Sequence, residues 1–297
     1  MQAVLKNLPT LGIGVSLSLS AEPDPVQLAQ QQNGPAFVEY AGLVDIERIW
    51  PELARVQSAG VPLLFHPSFI NFCGSFANSP NWLQTAARHI EKSGSPWFAQ
   101  DCAYCFQDDG FGYSSQFGYF VPPIFTEASL QKAIERVREV QAMIPVPVAI
   151  EPPPLTFVVG DMPLFEFFGK LAEACDCAIL LDMGHLVSWE MASGGRVLDA
   201  INALPCERVV EVHIAGGKLK QGEGGPVYID AHEATILEQT WQMLEQMLPR
   251  LPNVKALCYE CEGVDGEAVM NTLGILRDKV RALCPQTELA RTVEQQA

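Results

Sequence analysis

Histidine and acidic side chains recur in this sequence where apolar, strand-like runs end. In the stretch ILLDMGHLVSW, residues 179–189, the apolar run stops at Asp182, and His185 follows three residues later. Asp182 could cap the next element while His185 packs at the edge of a core, or both side chains could bind a metal ion. For one such pair taken alone, the first interpretation is the more common one.

Residues of the same types stand at or just beyond the ends of seven apolar runs. They are Glu39, His66, Asp101, Glu151, Asp182, His185, His213, Asp230, His232 and Glu260, and they include four of the five histidines in the chain. Burying such a cluster is costly unless cations neutralise it, and histidines with carboxylates but no matched thiolates suit Zn, Mn or Fe. Because the set exceeds what one ion needs, we predict two or three metal ions, bound by every member except Glu39. We assign direct catalytic roles to Asp182, His213 and Glu260, and none to Glu39.

These side chains can meet only if the runs belong to one sheet. Eight short apolar runs alternate with segments of helical periodicity, at residues 11–17, 36–42, 61–68, 96–103, 146–152, 178–185, 208–216 and 256–263. This alternation predicts a parallel sheet, and about eight units is the number at which the sheet closes as a TIM barrel. A doubly wound open sheet is the alternative. We predict one barrel domain over residues 1–283 and a frayed tail over 284–297.

Local spacing agrees with a site at the carboxyl ends of the strands, where barrel enzymes keep their chemistry. Asp182 and His185 can both face inward where the chain turns at Gly184. Asp230 and His232 are two residues apart, which places them on one side of an extended segment. The fifth histidine, His89, lies in a predicted helix and is interpreted as a packed or solvated residue.

Three further segments carry weaker signals. Residues 104–126 are rich in glycine and aromatic residues without helical periodicity, which predicts either a functional lid or an aromatic loop packed on the rim. Residues 215–225 lack the spacing of a phosphate-binding loop and are predicted to form a mobile loop. The CxxC pairs at 102–105 and 258–261 fall on opposite sides of the barrel, which argues against a four-cysteine zinc site. The roles of Cys102 and Cys105 stay open.

Composition excludes several classes of protein. The net charge of -16 repels phosphate backbones, so nucleic acid is disfavoured as a partner. Nine cysteines in a long chain fit reduced cytosolic thiols better than a disulfide framework. No run approaches the roughly 18 apolar residues of a membrane span, and the apolar segment after Lys6 is interpreted as the first strand rather than a secretory signal. The sequence therefore predicts a cytoplasmic protein with no membrane partner.

The order of the predicted ligands resembles that of the xylose isomerase-like TIM barrels. It is similar in particular to apurinic endonuclease IV, which has three zinc ions, and the segment HPSFINF at 66–72 is similar to the third-strand segment of that family. The acidic charge argues against the endonuclease itself.

A closer resemblance, over nearly the whole chain, is to the multinuclear non-heme iron-dependent oxidative enzymes that modify cysteine-containing peptides in natural-product pathways. The segments that carry it are GIGVSL, FVEYAG, ERVREVQAMIPVPVAIEPPP, MPLFEFFGKLAEACDCAILLDMGHL, RVVEVHIAGG, VYIDAHEA and YEC. The sequence departs from the usual motifs of that family at four places. Pro152 and His185 each stand where an asparagine-type residue is usual, Gly217 replaces the histidine of AGH, and AQDCAY replaces SEHLAW.

The resemblance implies an enzyme with two or three iron ions that uses dioxygen to modify a cysteine of a ribosomally made peptide. It further implies that the nine predicted ligands hold the iron, that residues 104–126 cover the peptide, and that a small partner protein presents it. Two other functions stay open. One is a sugar isomerase or epimerase, or a phosphoester hydrolase, that uses Zn or Mn, and the other is a metal-binding barrel without catalysis.

Overall fold

Eight parallel strands close into a barrel and follow one another around it in chain order. The barrel strands are β1 (Gly12–Ser16), β2 (Val38–Tyr40), β3 (Leu63–Phe65), β4 (Phe98–Asp101), β7 (Val148–Glu151), β8 (Ala178–Asp182), β9 (Val209–Ala215) and β12 (Ala256–Glu260). Each lies within one of the eight predicted runs. The computed structural model describes residues 2–17, 23–42, 45–108, 114–222 and 224–296, without the side chains of residues 2, 3 and 105–119. The predicted TIM barrel is confirmed, and the open-sheet alternative is wrong because β1 pairs with β12.

Amphipathic helices surround the barrel. They are α1 (Gln2–Lys6), α2 (Pro25–Ala29), α3 (Ile46–Ser58), α4 (Pro80–Ser93), α5 (Glu127–Gln141), α6 (Leu164–Cys175), α7 (Met183–Ser193), α8 (Glu238–Met247), α9 (Gly266–Leu283) and α10 (Glu288–Gln295). Short 3-10 helices lie at Val197–Ala203, Cys206–Arg208 and Leu248–Arg250. Helix α5 illustrates how the sequence specifies these helices, through an N-terminal cap and a buried apolar face. The side chain of Thr126 accepts a hydrogen bond from the backbone N–H of Ser129, and buried residues recur at helical spacing from Leu130 to Val140.

Two segments predicted to be loops are β-hairpins. In the first, β5 (Tyr104–Asp108) pairs antiparallel with β6 (Ser114–Val121), and residues 109–113 lie outside the described part of the chain. In the second, β10 (Gly217–Gly222) pairs antiparallel with β11 (Gly225–Asp230). The prediction of a mobile loop at 215–225 is therefore wrong. The two strands satisfy each other's backbone hydrogen bonds. Residues 218–221 of β10 are all exposed, so the sequence carries no alternation of apolar and polar residues that would have predicted this strand.

The tail predicted to be frayed contains α10. The side chain of Thr287 caps this helix by accepting a hydrogen bond from the Ala290 N–H, and Leu289 and Val293 are buried. Farther along, the side-chain amide of Gln296 donates to the carbonyl of Leu11, just before β1. The prediction of a frayed tail is wrong because the buried face of this short helix covers the edge of the barrel where β1 begins.

The barrel interior is layered along its axis. Neighbouring strands place Leu180 beside Glu211 and, two residues further on, Asp182 beside His213. Below the level of Asp182, the interior is closed by a buried apolar group that we call the base cluster. It consists of Leu5, Leu8, Leu11, Phe37, Leu64, Trp97, Ala99, Ala149, Ala178, Leu180, Val210, Ala256 and Cys258. None of the described helices has the length and apolarity needed to cross a membrane.

Candidate metal centre

All nine predicted ligands lie together at the carboxyl end of the barrel. Parallel register brings them to one level, because Asp101 pairs with Glu151 and Asp182 pairs with His213. A side-chain nitrogen or oxygen of each residue lies within 4.0 Å of an atom of another member, or the residue belongs to a group of three whose ligand atoms all lie within 4.8 Å of one another. We call this group the nine-residue cluster: His66, Asp101, Glu151, Asp182, His185, His213, Asp230, His232 and Glu260.

One side of the cluster surrounds His66. Its Nε2 lies 3.4 Å from Glu151 Oε2 and 3.9 Å from Asp101 Oδ2. Ligand atoms of these three residues all lie within 4.8 Å of one another, a spacing at which one ion can touch all three. Two carboxylates and an imidazole form a donor set that suits Zn, Mn or Fe.

The other side surrounds His213. Its Nδ1 lies 3.3 Å from Glu260 Oε1, and Asp182, His213 and Glu260 form a second group with ligand atoms within 4.8 Å. A third group of the same spacing joins Glu39 to His66 and His213. Because the Glu39 group shares His66 with the first group and His213 with the second, the three groups form one continuous candidate metal site. Glu39, which the sequence left without a role, lies within that site.

His185 connects the two sides. Its Nδ1 lies 2.9 Å from the carbonyl of Pro152, which can only accept, so Nδ1 carries the proton. Its Nε2 therefore faces Asp230 Oδ2 at 3.2 Å. Asp182 Oδ1 accepts the backbone N–H of His185 at 2.7 Å and caps α7. The two interpretations of this pair are thus compatible, because Asp182 caps a helix with Oδ1 and keeps Oδ2 for another partner.

The buried polar atoms of the cluster are short of partners. Within the described residues, these atoms have no hydrogen-bond partner: Glu39 Oε2, His66 Nδ1, Asp101 Oδ1, both carboxylate oxygens of Glu151, Asp182 Oδ2, His213 Nδ1 and Asp230 Oδ1. Buried polar groups are normally paired, and leaving one unpaired costs about 1–3 kcal/mol. These unpaired oxygen and nitrogen atoms point into one shared space, where bound cations would satisfy them. Carboxylates and imidazoles are suitable ligands for such ions.

Burial also perturbs the acidic groups. It raises the pKa of the Glu39 carboxyl to about 8 and that of the Glu151 carboxyl to about 7. It raises the pKa of Asp101 and of Asp182 as well, and neighbouring carboxylates act in the same direction. The protons that Glu39 and Glu151 retain near neutral pH occupy the place that a metal cation would take.

The histidines divide into two kinds. Burial, with the charge of His213 second, lowers the pKa of His66 to about 4, so its ring is neutral and ready to bind a metal. For His185 and His213 burial also opposes the charged form, but the surrounding carboxylates outweigh it and raise each pKa well above the usual range. Such rings hold protons that a metal must displace.

Three residues around the cluster were missed by the sequence prediction. Glu211 is fully buried, accepts the Trp97 Nε1 hydrogen bond at 2.7 Å, and places Oε1 3.4 Å from His213 Nε2. Glu262 lies 2.6 Å from His232 Nδ1. Tyr228 is buried with its hydroxyl close to the cluster. The signal for Glu211 was alternation, since it is two residues from His213 and shares its side of β9. Glu262 lies beyond the end of β12, where strand alternation does not apply.

The ring of Tyr228 occupies the space beside Gly217. A Cβ added at Gly217 would lie 2.5 Å from Tyr228 Cε2, Cζ and Oη, and one added at Gly184 would lie 2.2 Å from Tyr228 Oη. Such distances are closer than real side chains reach, so both glycines are required by the packing of this ring. The absence of a histidine at position 217 thus has a steric reason in this chain.

Most cysteines contribute to packing, but Cys258 reaches the site, with its Sγ donating to Glu39 Oε1 at 3.8 Å. The eight whose side chains are described are free, and Cys102, Cys258 and Cys261 are buried. Burial raises the pKa of the Cys102 thiol well above its usual range, which makes it unreactive. The side chain of Cys105 lies outside the described part of the structure. His89 is packed, as one of its two interpretations held, with its ring stacked on Phe65 at 4.5 Å between centroids.

The chain is therefore a TIM barrel with a candidate metal centre, formed by a cluster of histidines and carboxylates at the carboxyl end of its eight strands. Residues 10–263 match the model of the family described as RiPP precursor modification enzyme MbnB/TglH/ChrH. That match spans most of the chain, and the protein belongs to this family.

Relatives in sequence are distant. A UPF0276 protein of Rhizobium meliloti is 30% identical over 131 residues, which cover 43% of this chain and 42% of that protein. A UPF0276 protein of Streptomyces avermitilis is 25% identical over 251 residues, which cover 83% of this chain and 50% of that protein. The chain thus spans half or less of the length of these two relatives.

Solved structures share the fold. D-allulose 3-epimerase from Methylomonas sp. superposes with a TM-score of 0.55 at 12% identity, covering 97% of this chain and 98% of that one. Endonuclease IV from Thermus thermophilus gives 0.54 at 17% identity, covering 91% and 99%. A xylose isomerase-like TIM barrel protein from Mycobacterium smegmatis, in complex with magnesium, gives 0.55 at 12% identity, covering 94% and 98%. The predicted xylose isomerase-like fold is confirmed.

Proposed function

We propose that the protein is a multinuclear non-heme iron enzyme that uses dioxygen to modify a cysteine of a ribosomally made peptide. One observation carries the proposal: the largely buried nine-residue cluster, whose unpaired oxygens and nitrogens converge at the carboxyl end of the barrel. The family description supports a peptide as the substrate. We further propose that a small partner protein presents the peptide and that the reaction takes place in the cytoplasm, where cysteines stay reduced.

In this proposal the nine-residue cluster holds two or three iron ions, which would bind the substrate thiolate and activate dioxygen. We assign the direct catalytic roles to Asp182, His213 and Glu260. Before metal binds, burial raises the pKa of Glu39 to about 8, and its Oε2 lies 3.3 Å from His213 Nε2. This carboxyl can therefore exchange a proton with the ring as the charge of the centre changes.

The approach to the cluster favours a peptide over a sugar. A cavity of about 340 Å³ is lined by Phe120, Pro122, Pro154, Leu155, Thr156, Phe157, Tyr228, Ile229 and Asp230. Asp230 also belongs to the cluster, so the cavity reaches the metal-binding groups. Its lining is mostly apolar, and Phe157 is 55% exposed. Such a surface binds apolar side chains beside a reacting residue, whereas a sugar needs several hydrogen-bonding groups.

The second candidate is a Zn- or Mn-dependent sugar isomerase or epimerase, or a phosphoester hydrolase. The donor set favours it as much as it favours iron, because imidazole and carboxylate bind all three metals. The net charge of -16 and the apolar cavity count against phosphorylated substrates.

Metal and oxygen measurements separate the candidates. The protein is purified without oxygen, its metals are quantified, and Mössbauer and EPR spectra are recorded. We expect at least two irons per chain and oxygen uptake with a cysteine-bearing precursor peptide encoded beside the gene, together with a change in peptide mass. Stoichiometric Zn or Mn without oxygen uptake would favour the second candidate. Bound iron without any turnover would identify a barrel that has lost catalysis.

A further inference from the structure

Glu262 lies just outside the nine-residue cluster and joins two distant parts of the chain. It follows β12 by two residues, and its carboxylate accepts a hydrogen bond from Ser16 Oγ at 2.7 Å. The other oxygen lies 2.6 Å from His232 Nδ1. Ser16 ends β1, whereas His232 lies beyond β11, so the carboxylate ties the far side of the second hairpin to the barrel wall.

His232 is held in an unusual backbone conformation. Its φ of 47° is in the left-handed region, which costs a residue with a Cβ about 1–2 kcal/mol relative to the right-handed form. Residues keep such conformations only where their surroundings impose them, and this occurs most often at functional sites. Here the conformation sets the ring between Glu262 on one side and the cluster on the other.

The hydrogen bond to Glu262 decides which ring nitrogen faces the cluster. A carboxylate accepts, so Nδ1 of His232 carries the proton. The other nitrogen, Nε2, then points toward Asp230 Oδ2 at 3.5 Å and Glu260 Oε2 at 3.6 Å. Among the described side chains, Glu262 is the hydrogen-bond partner of Nδ1, and it fixes this arrangement.

We propose that Glu262, supported by Ser16, is a positioning residue that orients His232 so that Nε2 binds metal together with Asp230 and Glu260. This inference rests on the metal centre of the proposed function but not on its reaction. A carboxylate behind a ligating histidine fixes the ring and raises its basicity, and removing such a partner costs roughly 10–100-fold in metal affinity. Glu262 keeps its own oxygens engaged with Ser16 and His232, which separates it from the ligands themselves.

Cobalt(II) binding without oxygen or peptide tests the inference. We expect Glu262→Ala to weaken one cobalt equivalent by roughly 10–100-fold and to change the visible spectrum of that equivalent, while the remaining cobalt binds as before. Glu262→Asp, which keeps a carboxylate, should recover part of the affinity. Glu267→Ala removes an exposed carboxylate five residues away and should leave every equivalent unchanged.

A double-mutant cycle with His232→Gly shows whether Glu262 acts through this histidine. Glycine adopts the left-handed backbone without strain, so the background removes the ring and keeps the fold. We expect Glu262→Ala to have no further effect on cobalt affinity in that background. An equal loss in both backgrounds, or wild-type binding by Glu262→Ala, would overturn the inference. Wild-type protein that binds no cobalt would overturn it too, whereas cobalt binding without iron-dependent oxidation removes only the proposed reaction.

Discussion

The two ends of the barrel interior are built from the same strands and have opposite character. On β8, Leu180 belongs to the base cluster and Asp182, two residues later, to the nine-residue cluster. The base is apolar and tightly buried, whereas the carboxyl end carries unpartnered buried oxygens and a strained backbone at His232. Inward-facing residues of a strand recur every second position, so one strand can stabilise the fold at one end and bind a ligand at the other. Burial at the base offsets the cost of the polar end.

The largest effect should come from removing a ligand at the carboxyl end. We expect His213→Ala to lose metal and activity together, by well over the roughly 100-fold that changes behind a ligand produce, and to leave the barrel folded. Metal analysis and circular dichroism measure both. His89→Ala is the matched control, because it removes a buried histidine from a helix and should keep the metal. Unchanged metal content in His213→Ala would mean that the ligand assignment is wrong.

A change at the base should have the opposite outcome. Leu180→Ala leaves a cavity in the base cluster, and we expect it to lower the free energy of unfolding by about 2–5 kcal/mol while the metal stoichiometry stays the same. Denaturant titration gives the first quantity and metal analysis the second. Leu219→Ala, at a side chain that is 45% exposed, should change stability little. Metal loss in Leu180→Ala at temperatures where it is folded would show that the two ends are not independent.

Gly217 packs against Tyr228 and pairs with Asp230 of the nine-residue cluster, so a change there tests packing beside the candidate metal centre. A Cβ there collides with the Tyr228 ring, so we expect Gly217→Ala to cost about 1–3 kcal/mol of unfolding free energy. The same substitution should cost much less in a Tyr228→Ala background, where the ring is absent. Gly274→Ala, in the interior of α9 with nothing within 4 Å of its added Cβ, should instead be neutral or stabilising. Equal costs for Gly217→Ala in both backgrounds would rule out the collision.

The smallest expected effect is the release of protons when metal binds. Since burial raises the pKa of Glu39 to about 8 and of Glu151 to about 7, the metal-free protein holds protons there at neutral pH. Metal binding must displace them, so affinity should rise as the pH is raised through that interval. Titration calorimetry of Zn²⁺ in buffers of different ionisation enthalpy should detect proton release near pH 7. Heats that do not depend on the buffer would contradict it.

The sequence was sufficient for the barrel and for the convergence of polar side chains at the strand ends. Parallel strands that are buried on both faces appear as continuous apolar runs, so the eight strands and the convergence of Asp182 with His213 followed from pattern alone. The hairpins β5–β6 and β10–β11 did not, because their strands pair with each other outside the barrel and residues 218–221 of β10 are exposed on both faces. The helix α10 was missed because only eight residues form it.

Residues behind the ligands were harder to predict than the ligands. Glu211 and Glu262 are ordinary glutamates in the sequence, and their roles depend on which ring nitrogen each approaches, to within a few tenths of an ångström. The packing role of Tyr228 is apparent only in the structure, where Gly184 and Gly217 leave space for its ring. Such features depend on packing between segments far apart in the chain, which periodicity does not report.

The pairing of β1 with β12 has a consequence for the order of events during synthesis. The nine-residue cluster draws on residues from His66 to Glu260, and the first strand meets the last of the eight. A ribosome-bound chain that stops short of residue 260 therefore lacks a complete set of ligands, whatever part of it has folded. Contacts across such sequence separations form late. In the proposed function, a complete metal centre can therefore form only after residue 260 has been made and β1 has paired with β12.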